Sequence, residues 1–458
     1  MPWTKITSGH YQRPIGENES FIKFIGDSGH VHHRDNWSIA ATASFKPRSS
    51  LFDQDSSALL RRAWMILRFY HPSIAATATE QMVDYHCVSD AGQLDHWADE
   101  TFITHVDKSS TPQQIISKLQ PSRYATVHYL PHSFQVILHL SHWRTDGVGA
   151  LQLLDAFLKA VISALHQDVT TLAWGEEWQR LTLSVEEILD LPMTASSEIL
   201  DASSKFIATL ANTKCALGTP YRGDNQTVPG GTQSVRIRLS ALTTQTLIDA
   251  CNRLGICLTS AVHAAIAATN FLIAPVERVE KGKEQHHTST LRVNVREYLP
   301  APYNTSDYAA GLYTGGYMVK VSDPQNWLEN ARLYEQKYRQ GATCEFLQSR
   351  RQYALTVKSL LQTRQPENQQ PPSSGLDISS VGDAGVHVQA SYGSGDAGLD
   401  VCSVSLGVEV LARNMYCFMW TFCNQLEFNL VYNEAFYDRQ FLENVLDTLQ
   451  SVLKENCI

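Results

Sequence analysis

The sequence has no long apolar run and no excess of positive charge. Its 37 lysines and arginines are outnumbered by 46 aspartates and glutamates, which gives a formal net charge of −9 over 458 residues. A negatively charged protein repels phosphodiester backbones, so we expect no nucleic-acid partner. The longest apolar stretch, residues 261–276, is interrupted by His263, Thr269 and Asn270 and is too short to span a bilayer. We therefore expect a buried helix there and no membrane association.

Targeting signals and paired cysteines are also missing. Residues 1–20, MPWTKITSGHYQRPIGENES, have neither the basic start nor the apolar centre of a signal peptide. The nine cysteines are odd in number and show no CxxC spacing, and several occupy apolar periodic segments as small hydrophobic residues would: Cys251, Cys257, Cys402 and Cys417. Reduced thiols and a cytoplasmic location are the expectation.

The remaining composition is that of a globular protein with more than one domain. Hydrophobic residues make up 43% of the chain, and its length exceeds that of one ordinary core. We predict an N-terminal subdomain over residues 1–212, a crossover linker rich in Gly, Pro, Asn and Asp over 213–233, and a C-terminal subdomain over 234–458. Helix-like and strand-like patterns mix without a strict βαβ rhythm, which favours two α/β layers over one doubly wound sheet.

One stretch, VILHLSHWRTDGVGALQLLDAF at residues 136–157, contains a candidate catalytic histidine. Residues 128–140 have the pattern of extended chain leading to His142. After the motif, apolar side chains recur at helical spacing: Val148, Leu151, Leu154, Leu158 and Val161. The histidine is therefore predicted at the end of a strand, directly before an amphipathic helix.

The spacing of His142 and Asp146 is not specific by itself. With 17 histidines in the chain, roughly one such match is expected by chance, and His86 with Asp90 is a second match that has no glycine after the aspartate. On spacing alone, a structural histidine bonded within the core is the commoner case. The setting distinguishes the first match, because Gly147 follows Asp146 directly and a helix begins within one turn.

This setting suits proton transfer. Histidine has an unperturbed pKa of about 6.5 and is largely neutral at pH 7, so it can take a proton from an alcohol or an amine. Asp146 can hold the turn in shape, either by capping the helix or by pairing with an arginine. Gly147 allows close approach of a ligand and places a backbone N–H at the helix start, where negative charge is favoured.

The segment SHWRTDGVGA, residues 141–150, resembles the HxxxDG motif of the chloramphenicol acetyltransferase-like superfamily. This superfamily includes BAHD acyltransferases, nonribosomal peptide condensation domains and fungal secondary-metabolite O-acyltransferases such as the trichothecene O-acetyltransferases. Family-like segments also occur in family order elsewhere: YQRPIGENE, WGEEWQRL, NVREYLP, LDISSVG and WTFCNQLEFNLVYNE. The resemblance covers most of the chain, although each flanking segment is weakly specific, and it favours a catalytic His142.

The resemblance implies a pseudo-symmetric pair of chloramphenicol acetyltransferase-like subdomains with a substrate tunnel along their interface. It implies an acyl-CoA-dependent O-acyltransferase that uses acetyl by default and a hydroxylated fungal-type metabolite as acceptor. His142 matches the general base of a direct transfer in a ternary complex. Asp146 matches the structural aspartate, with Arg296 of the second half as its candidate partner, and we suggest that the Gly147 N–H helps the oxyanion.

Further residues follow from the resemblance with less specificity. Tyr317, Ser379, Ser380 and Trp420 lie in segments that the family places near the tunnel, although as core or turn residues they need no function. Acyl-CoA is a co-substrate of this family, so we expect no bound cofactor. We also expect no metal site and a monomer. The histidines of residues 29–34 are more often solvated than metal-bound. The basic residues of 276–287 could meet CoA phosphates, but a solvated loop is commoner, and residues 362–375 are predicted to form a surface loop.

Two departures from the family narrow the function. Ser141 stands where condensation domains usually carry a second histidine, and no carrier module is attached, which favours free acyl-CoA as the donor. The DFGWG string of plant BAHD enzymes is absent, which favours the stand-alone fungal branch. Two alternatives remain: a condensation-like catalyst that forms amides or esters from a carrier-bound donor, and a catalytically silent homologue that binds a metabolite.

Overall fold

The structure, a computed structural model, describes residues 2–48, 51–275, 286–363 and 373–457. The basic stretch predicted to be a loop falls at 276–285 outside these residues, and so do residues 364–372 of the predicted surface loop. In the described part, no single helix has the length and apolar composition to cross a bilayer. One pair of helices bent by 95°, Ala241–Leu254 and Leu258–Ile273, would do so by length and composition only.

Strands and helices mix along the whole chain, as expected for an α/β protein. The strands are β1 Thr4–Thr7, β2 His10–Pro14, β3 Ile39–Pro47, β4 Thr77–Ala78, β5 Met82–His86, β6 Phe102–Thr104, β7 Thr126–Leu130, β8 Gln135–Leu140, β9 Thr232–Arg238, β10 His287–Asn294, β11 Thr314–Val321, β12 Leu376–Asp383, β13 Ser391–Tyr392, β14 Leu399–Val408, β15 Met415–Phe422 and β16 Gln425–Asn433. The helices are α1 Glu17–Asp27, α2 Leu51–Tyr70, α3 Ala91–Thr101, α4 Pro112–Ile116, α5 Gly147–Ser163, α6 Val185–Ile188, α7 Ser197–Ala208, α8 Ala241–Leu254, α9 Leu258–Ile273, α10 Trp327–Gln340, α11 Cys344–Thr363 and α12 Arg439–Cys457.

The chain forms two compact units that are not contiguous in sequence. Unit 1 comprises Met1–Pro192, Val295–Tyr313 and Ala384–Glu409, and unit 2 comprises Met193–Asn294, Thr314–Asp383 and Val410–Ile458. This division differs from the predicted one, because the chain first leaves unit 1 after residue 192 and the predicted linker at 213–233 lies inside unit 2. Two later segments return to unit 1. One supplies the edge strand of a sheet and the strand next to it, and the other supplies partners of the HxxxDG motif.

Unit 1 is built on a six-stranded sheet with the order β13-β14-β3-β8-β7-β6. Strand β14 comes from a returning segment and pairs antiparallel with β3, which pairs antiparallel with β8. Helix α5 packs against α2 and β3. A second sheet of unit 1 has the order β1-β2-β5-β4.

The lead-in to the motif is a hairpin rather than one extended run. Strands β7 and β8 are antiparallel neighbours joined by a turn at residues 131–134. Pro131 starts this turn and has no N–H for a sheet ladder, and Phe134 closes it with a φ of 46°. The prediction of continuous extended chain over 128–140 was wrong at this turn, but β8 still ends directly before the histidine.

Unit 2 contains the sheet β12-β15-β16-β9 and the separate pair β10-β11. Helix α9 carries the predicted buried segment and packs against α10 and α12. Its cap differs from the predicted Thr259 or Ser260, because the Sγ atom of Cys257 accepts a hydrogen bond from the Ser260 N–H. Helix α8 ends at Gly255, whose φ of 71° is the left-handed conformation predicted for this glycine.

Candidate active site

The HxxxDG motif forms a compact turn between a strand and a helix of unit 1. Strand β8 ends at Leu140, a 3-10 turn follows at His142–Arg144, and α5 begins at Gly147. The arrangement predicted from the sequence, a histidine between a strand end and an amphipathic helix, is confirmed. The central strands of the sheet and the buried face of α5 hold the two ends of the turn.

The imidazole of His142 is oriented by its own turn. Its Nδ1 atom lies 3.0 Å from the carbonyl oxygen of Thr145, and the ring is partly buried. A carbonyl oxygen only accepts, so Nδ1 carries the proton of this bond. In the neutral ring the lone pair is then on Nε2, and this is the nitrogen able to take a proton from a substrate.

The carboxylate of Asp146 receives four hydrogen bonds. It caps α5 by accepting from the Gly149 N–H at 3.0 Å, and its Oδ2 atom accepts from the Tyr313 N–H at 2.8 Å. The Nη1 atom of Arg296 donates to Oδ1 at 2.6 Å and to Oδ2 at 2.7 Å. Four bonds match the lone-pair capacity of an ionised carboxylate, so this side chain is committed to holding the turn.

Arg296 joins the motif to a segment distant in the sequence. Its side chain is 3% exposed and that of Asp146 is 5% exposed, so the ion pair is buried. The second terminal nitrogen, Nη2, donates to the Gly311 carbonyl at 2.9 Å, and the guanidinium lies 5.1 Å from the centre of the Tyr313 ring. The structure brings together the predicted pair, but Arg296 lies in unit 1 and not in a second half, because Val295–Tyr313 returns to unit 1.

Two glycines serve the start of α5 differently. Gly147 is the first helical residue, so its N–H is one of those that a helix leaves without an intrahelical acceptor. Gly149 is required by close packing: a Cβ atom there would meet Thr145 Oγ1 at 2.2 Å, the Ala309 carbonyl at 2.3 Å and Arg296 Nη2 at 2.6 Å. The sequence displays both glycines, but only the fold reveals why the second has no side chain.

Two further side chains tether the turn, and sequence reasoning did not find their partners. Ser141 Oγ donates to Asp35 Oδ2 at 2.5 Å, and Thr145 Oγ1 donates to the Ala309 carbonyl at 2.7 Å. Burial raises the pKa of Asp35, and the hydrogen bond from Ser141 acts in the opposite direction. Ser141 had a signal, its departure from the condensation-domain histidine, whereas nothing in the sequence pointed to Asp35.

The predicted tunnel residues all lie in unit 2. Tyr317 is partly buried on β11, with its ring centre 5.4 Å from that of Phe206. Ser379 and Ser380 are partly buried on β12, where Ser380 Oγ lies 3.3 Å from Thr259 Oγ1.

Trp420 has a different environment. It lies on β15 with 1% of its surface exposed, and the Arg236 guanidinium is 5.5 Å from its ring centre. This burial places the Trp420 ring in the packed core of unit 2, which is the alternative that the sequence analysis left open for it. The tunnel itself stays a prediction.

The histidines of residues 29–34 and the cysteines are the other candidate metal ligands and nucleophiles of the chain. His30, His32 and His33 are exposed in and after a 3-10 turn, and the described residues contain no group of three or more potential metal ligands. The nine cysteines are free thiols. Burial raises the pKa of Cys417 to about 12, so its thiol stays protonated near neutral pH, while Cys423 is exposed.

Comparison with known proteins adds relatives that cover nearly the whole chain, although no protein-family model matches it. The chain is 46% identical over 454 residues to the acetyltransferase pigO of Monascus ruber, covering 99% of this chain and 97% of the relative. It is 28% identical over 459 residues to the O-acetyltransferase pigM of the same organism, covering 99% of this chain and 87% of that protein.

A solved structure of an acetyltransferase has a similar fold. The TRI3 trichothecene 15-O-acetyltransferase from Fusarium sporotrichioides superposes with a TM-score of 0.80 at 16% sequence identity, covering 100% of this chain and 98% of that one. At this identity the likeness concerns the fold alone, and it confirms the predicted α/β class.

Proposed function

Since the chain belongs to the fungal secondary-metabolite O-acetyltransferases of the chloramphenicol acetyltransferase-like fold, we propose that it acetylates a metabolite hydroxyl from acetyl-CoA with His142 as general base. It is an acyltransferase, and the 46% identity over nearly the whole chain carries that assignment. The observation that supports the proposed base is the bond from His142 Nδ1 to the Thr145 carbonyl, because it leaves Nε2 as the basic nitrogen.

In the proposed reaction, Nε2 of His142 takes the proton of the acceptor hydroxyl as its oxygen attacks the thioester carbonyl carbon. The carbonyl oxygen becomes an oxyanion, and we assign the Gly147 N–H at the start of α5 to stabilise it. The intermediate then expels the CoA sulfur, which recovers the proton from His142. The acetyl ester and free CoA are the products, and no acyl group passes through the protein.

We assign Asp146 to positioning rather than to proton transfer. Its four hydrogen bonds hold the start of α5 and the segment around Tyr313. The carboxylate thereby fixes the backbone of the turn whose Thr145 carbonyl orients the imidazole. The proposal predicts that changes at Asp146 act on the geometry of His142.

Direct transfer is tested by initial rates measured against acetyl-CoA at several acceptor concentrations. Both substrates must be bound together, so the double-reciprocal lines should intersect. Parallel lines, together with a stable mass increase of the protein after incubation with acetyl-CoA alone, would instead show an acyl-enzyme. The protonated thiol of Cys417 does not suit such an intermediate, so exposed Cys423 would be the first residue to examine.

The donor and the acceptor are tested by mass spectrometry of products formed from acetyl-CoA and a panel of hydroxylated metabolites. A mass gain of one acetyl group on a metabolite, with release of CoA thiol, is the expected result. Turnover only with an acetyl group on a carrier protein would favour the condensation-like alternative, and binding without thiol release would favour the silent homologue.

We also propose that the protein is a cytoplasmic monomer. Light scattering in solution tests the oligomeric state.

A further inference from the structure

Arg144, in the middle of the motif, is a buried cation held by backbone carbonyls. Only 3% of the residue's surface is exposed. Nη1 donates to the carbonyls of Ser73, at 3.3 Å, and Ala76, and Nη2 donates to the Arg123 carbonyl at 2.6 Å. These acceptors come from two separate stretches of unit 1, so one planar guanidinium ties both to the turn.

Arg144 differs from two other buried arginines of unit 1, each of which has a carboxylate partner. Arg13 pairs with Glu19 at 2.7 Å and Arg296 pairs with Asp146 at 2.6 Å. In the described part of the chain, no acidic side chain makes an ion pair with Arg144, and burial lowers its pKa to about 9. An apolar side chain would avoid the cost of burying this charge, so the arginine must contribute something that an apolar residue cannot.

The contribution is directional bonding beside a small cavity. The lining of the cavity includes Ser73, Trp143, Arg144, Thr182 and Ala310. The hydrogen bonds of Arg144 therefore hold the turn next to a cavity of about 10 Å³. The guanidinium also lies 4.3 Å from the centre of the Trp143 ring, directly beside His142 in sequence.

The bonds of Arg144 continue into a chain that leads towards the second tether of the turn. Ser73, whose carbonyl accepts from Arg144, has its Oγ atom 3.0 Å from Thr182 Oγ1 and accepts from the Thr182 N–H at 2.9 Å. Thr182 Oγ1 in turn lies 3.0 Å from the Ala310 carbonyl.

This chain closes on the motif itself. The residue before Ala310 is Ala309, whose carbonyl accepts from Thr145 Oγ1 at 2.7 Å. Thr145 directly follows Arg144, and its own carbonyl orients the His142 ring. These hydrogen bonds, together with the peptide links between Ala309 and Ala310 and between Arg144 and Thr145, form a closed circuit that begins at Arg144 and returns at the next residue.

We propose that Arg144 is a positioning residue for acetyl transfer, which fixes the 3-10 turn so that the Nε2 atom of His142 points at the acceptor hydroxyl. This inference rests on the proposed function of His142. Arg144 does not touch the reacting atoms, so its removal should lower kcat while the KM values for acetyl-CoA and acceptor stay nearly constant. A misplacement of about 1 Å in a catalytic group can lower the rate about 100-fold.

The test compares Arg144→Met, Arg144→Lys and Arg144→Ala. Methionine retains much of the volume without donors, and lysine retains a charge without the planar fork that reaches two stretches. We expect kcat to fall about 100-fold in Arg144→Met and less in Arg144→Lys, with both KM values within about threefold of the parent. Millimolar guanidinium should restore part of the kcat of Arg144→Ala, and equal concentrations of sodium chloride should not.

Arg68 provides the matched control. It is 5% exposed, lies 4.7 Å from the Trp97 ring centre and donates to the His86 carbonyl at 3.3 Å, but it is not bonded to the turn. Arg68→Met should lose stability and keep kcat without any response to guanidinium. A long-range ¹H–¹⁵N spectrum, with His142→Ala identifying the signal, should show the Nδ1–H form of His142 in the parent and a mixture of tautomers in Arg144→Lys.

The outcomes separate this inference from the proposed function. A folded Arg144→Met protein with parental kcat, beside an inactive His142→Ala protein, would overturn the positioning role and leave the proposed base intact. An active His142→Ala protein would overturn the base itself. Loss of kcat in Arg144→Lys and Arg144→Ala without guanidinium rescue, and with an unchanged His142 tautomer, would reduce Arg144 to a contributor to stability. Should Arg144→Met not fold, the rescue and tautomer measurements decide the question on the other two variants.

Discussion

Asp146 and Arg296 are 150 residues apart in the sequence, yet Nη1 of Arg296 donates to both oxygens of the Asp146 carboxylate at 2.6 and 2.7 Å. The pair connects the first turn of α5 to the segment that returns to unit 1. Both side chains are buried, so neither charge has water as a substitute partner. The position of the HxxxDG turn therefore depends on a contact that forms only when distant parts of the chain fold together.

Breaking this pair should destabilise the protein strongly. Arg296→Met leaves the Asp146 carboxylate buried without its counter-charge, and a loss on the order of 3 to 5 kcal/mol in the free energy of unfolding is expected. Asp146→Asn should have an effect of the same sign. Urea unfolding of both single variants and of the double variant measures it. The double variant should lose less than the sum of the two, whereas strict additivity would mean that the two side chains do not interact.

The same variants should lose activity through geometry. We expect kcat to fall in Asp146→Asn because the carboxylate no longer holds Tyr313 and Arg296, while the pH dependence of kcat/KM keeps the shape set by His142. Rate profiles from pH 5 to 9 on the folded fraction provide the measurement. Loss of the acidic limb of the profile in Asp146→Asn would show that the aspartate takes part in proton transfer, contrary to its assignment here.

Gly149→Ala should perturb the turn although alanine favours helices. Its Cβ atom would come within 2.6 Å of Thr145 Oγ1, the Ala309 carbonyl and Arg296 Nη2, and overpacking of this kind costs about 1 to 3 kcal/mol. Gly92→Ala in α3 is the matched control, since its nearest contact is the Asp90 carboxylate oxygen at 3.2 Å, on an exposed side chain. Thermal unfolding compares the two. Equal melting temperatures for Gly149→Ala and the parent would contradict the packing argument.

Local patterns explain which parts of the fold could be predicted. The strands predicted over 415–422 and 425–432 correspond to β15 and β16. Both could be predicted because short runs rich in apolar residues are visible within each segment itself. The terminal helix and the helix after the motif could be predicted because their apolar residues recur at helical spacing. The Cys257 cap was missed because serine and threonine two or three residues later are the stronger general cap formers.

Long-range contacts explain what could not be predicted. The resemblance supplied His142, Asp146 and Arg296, but the tethers Asp35 and Ser73 lie 106 and 71 residues from the residues they bind and belong to no motif. The sequence analysis also predicted contiguous halves. No local pattern shows that residues 295–313 and 384–409 return to unit 1. The role of Arg144 likewise depends on carbonyls whose positions only the fold defines.

Glu186 should make the stability of unit 1 sensitive to pH. Its side chain is buried, Oε1 accepts from the Asn18 N–H at 2.7 Å, and burial raises its pKa to about 7. The folded protein thus holds the proton more tightly than the unfolded chain, so this stabilisation is fully present below about pH 4.5 and is lost as the pH rises through 7. Glu186→Gln cannot ionise and should gain on the order of 3 kcal/mol relative to the parent between pH 4.5 and 8. Urea unfolding at several pH values checks this, and parallel pH dependences of the two proteins would refute it.

The most direct measurement for the whole account is the kcat of His142→Ala with acetyl-CoA and an acceptor, in a protein whose melting curve matches the parent. The proposed general base takes the acceptor proton at Nε2, and its loss should lower kcat by a factor of about 100 to 10,000 while acetyl-CoA still binds. A folded His142→Ala protein that turns over at nearly the parental rate would contradict the account.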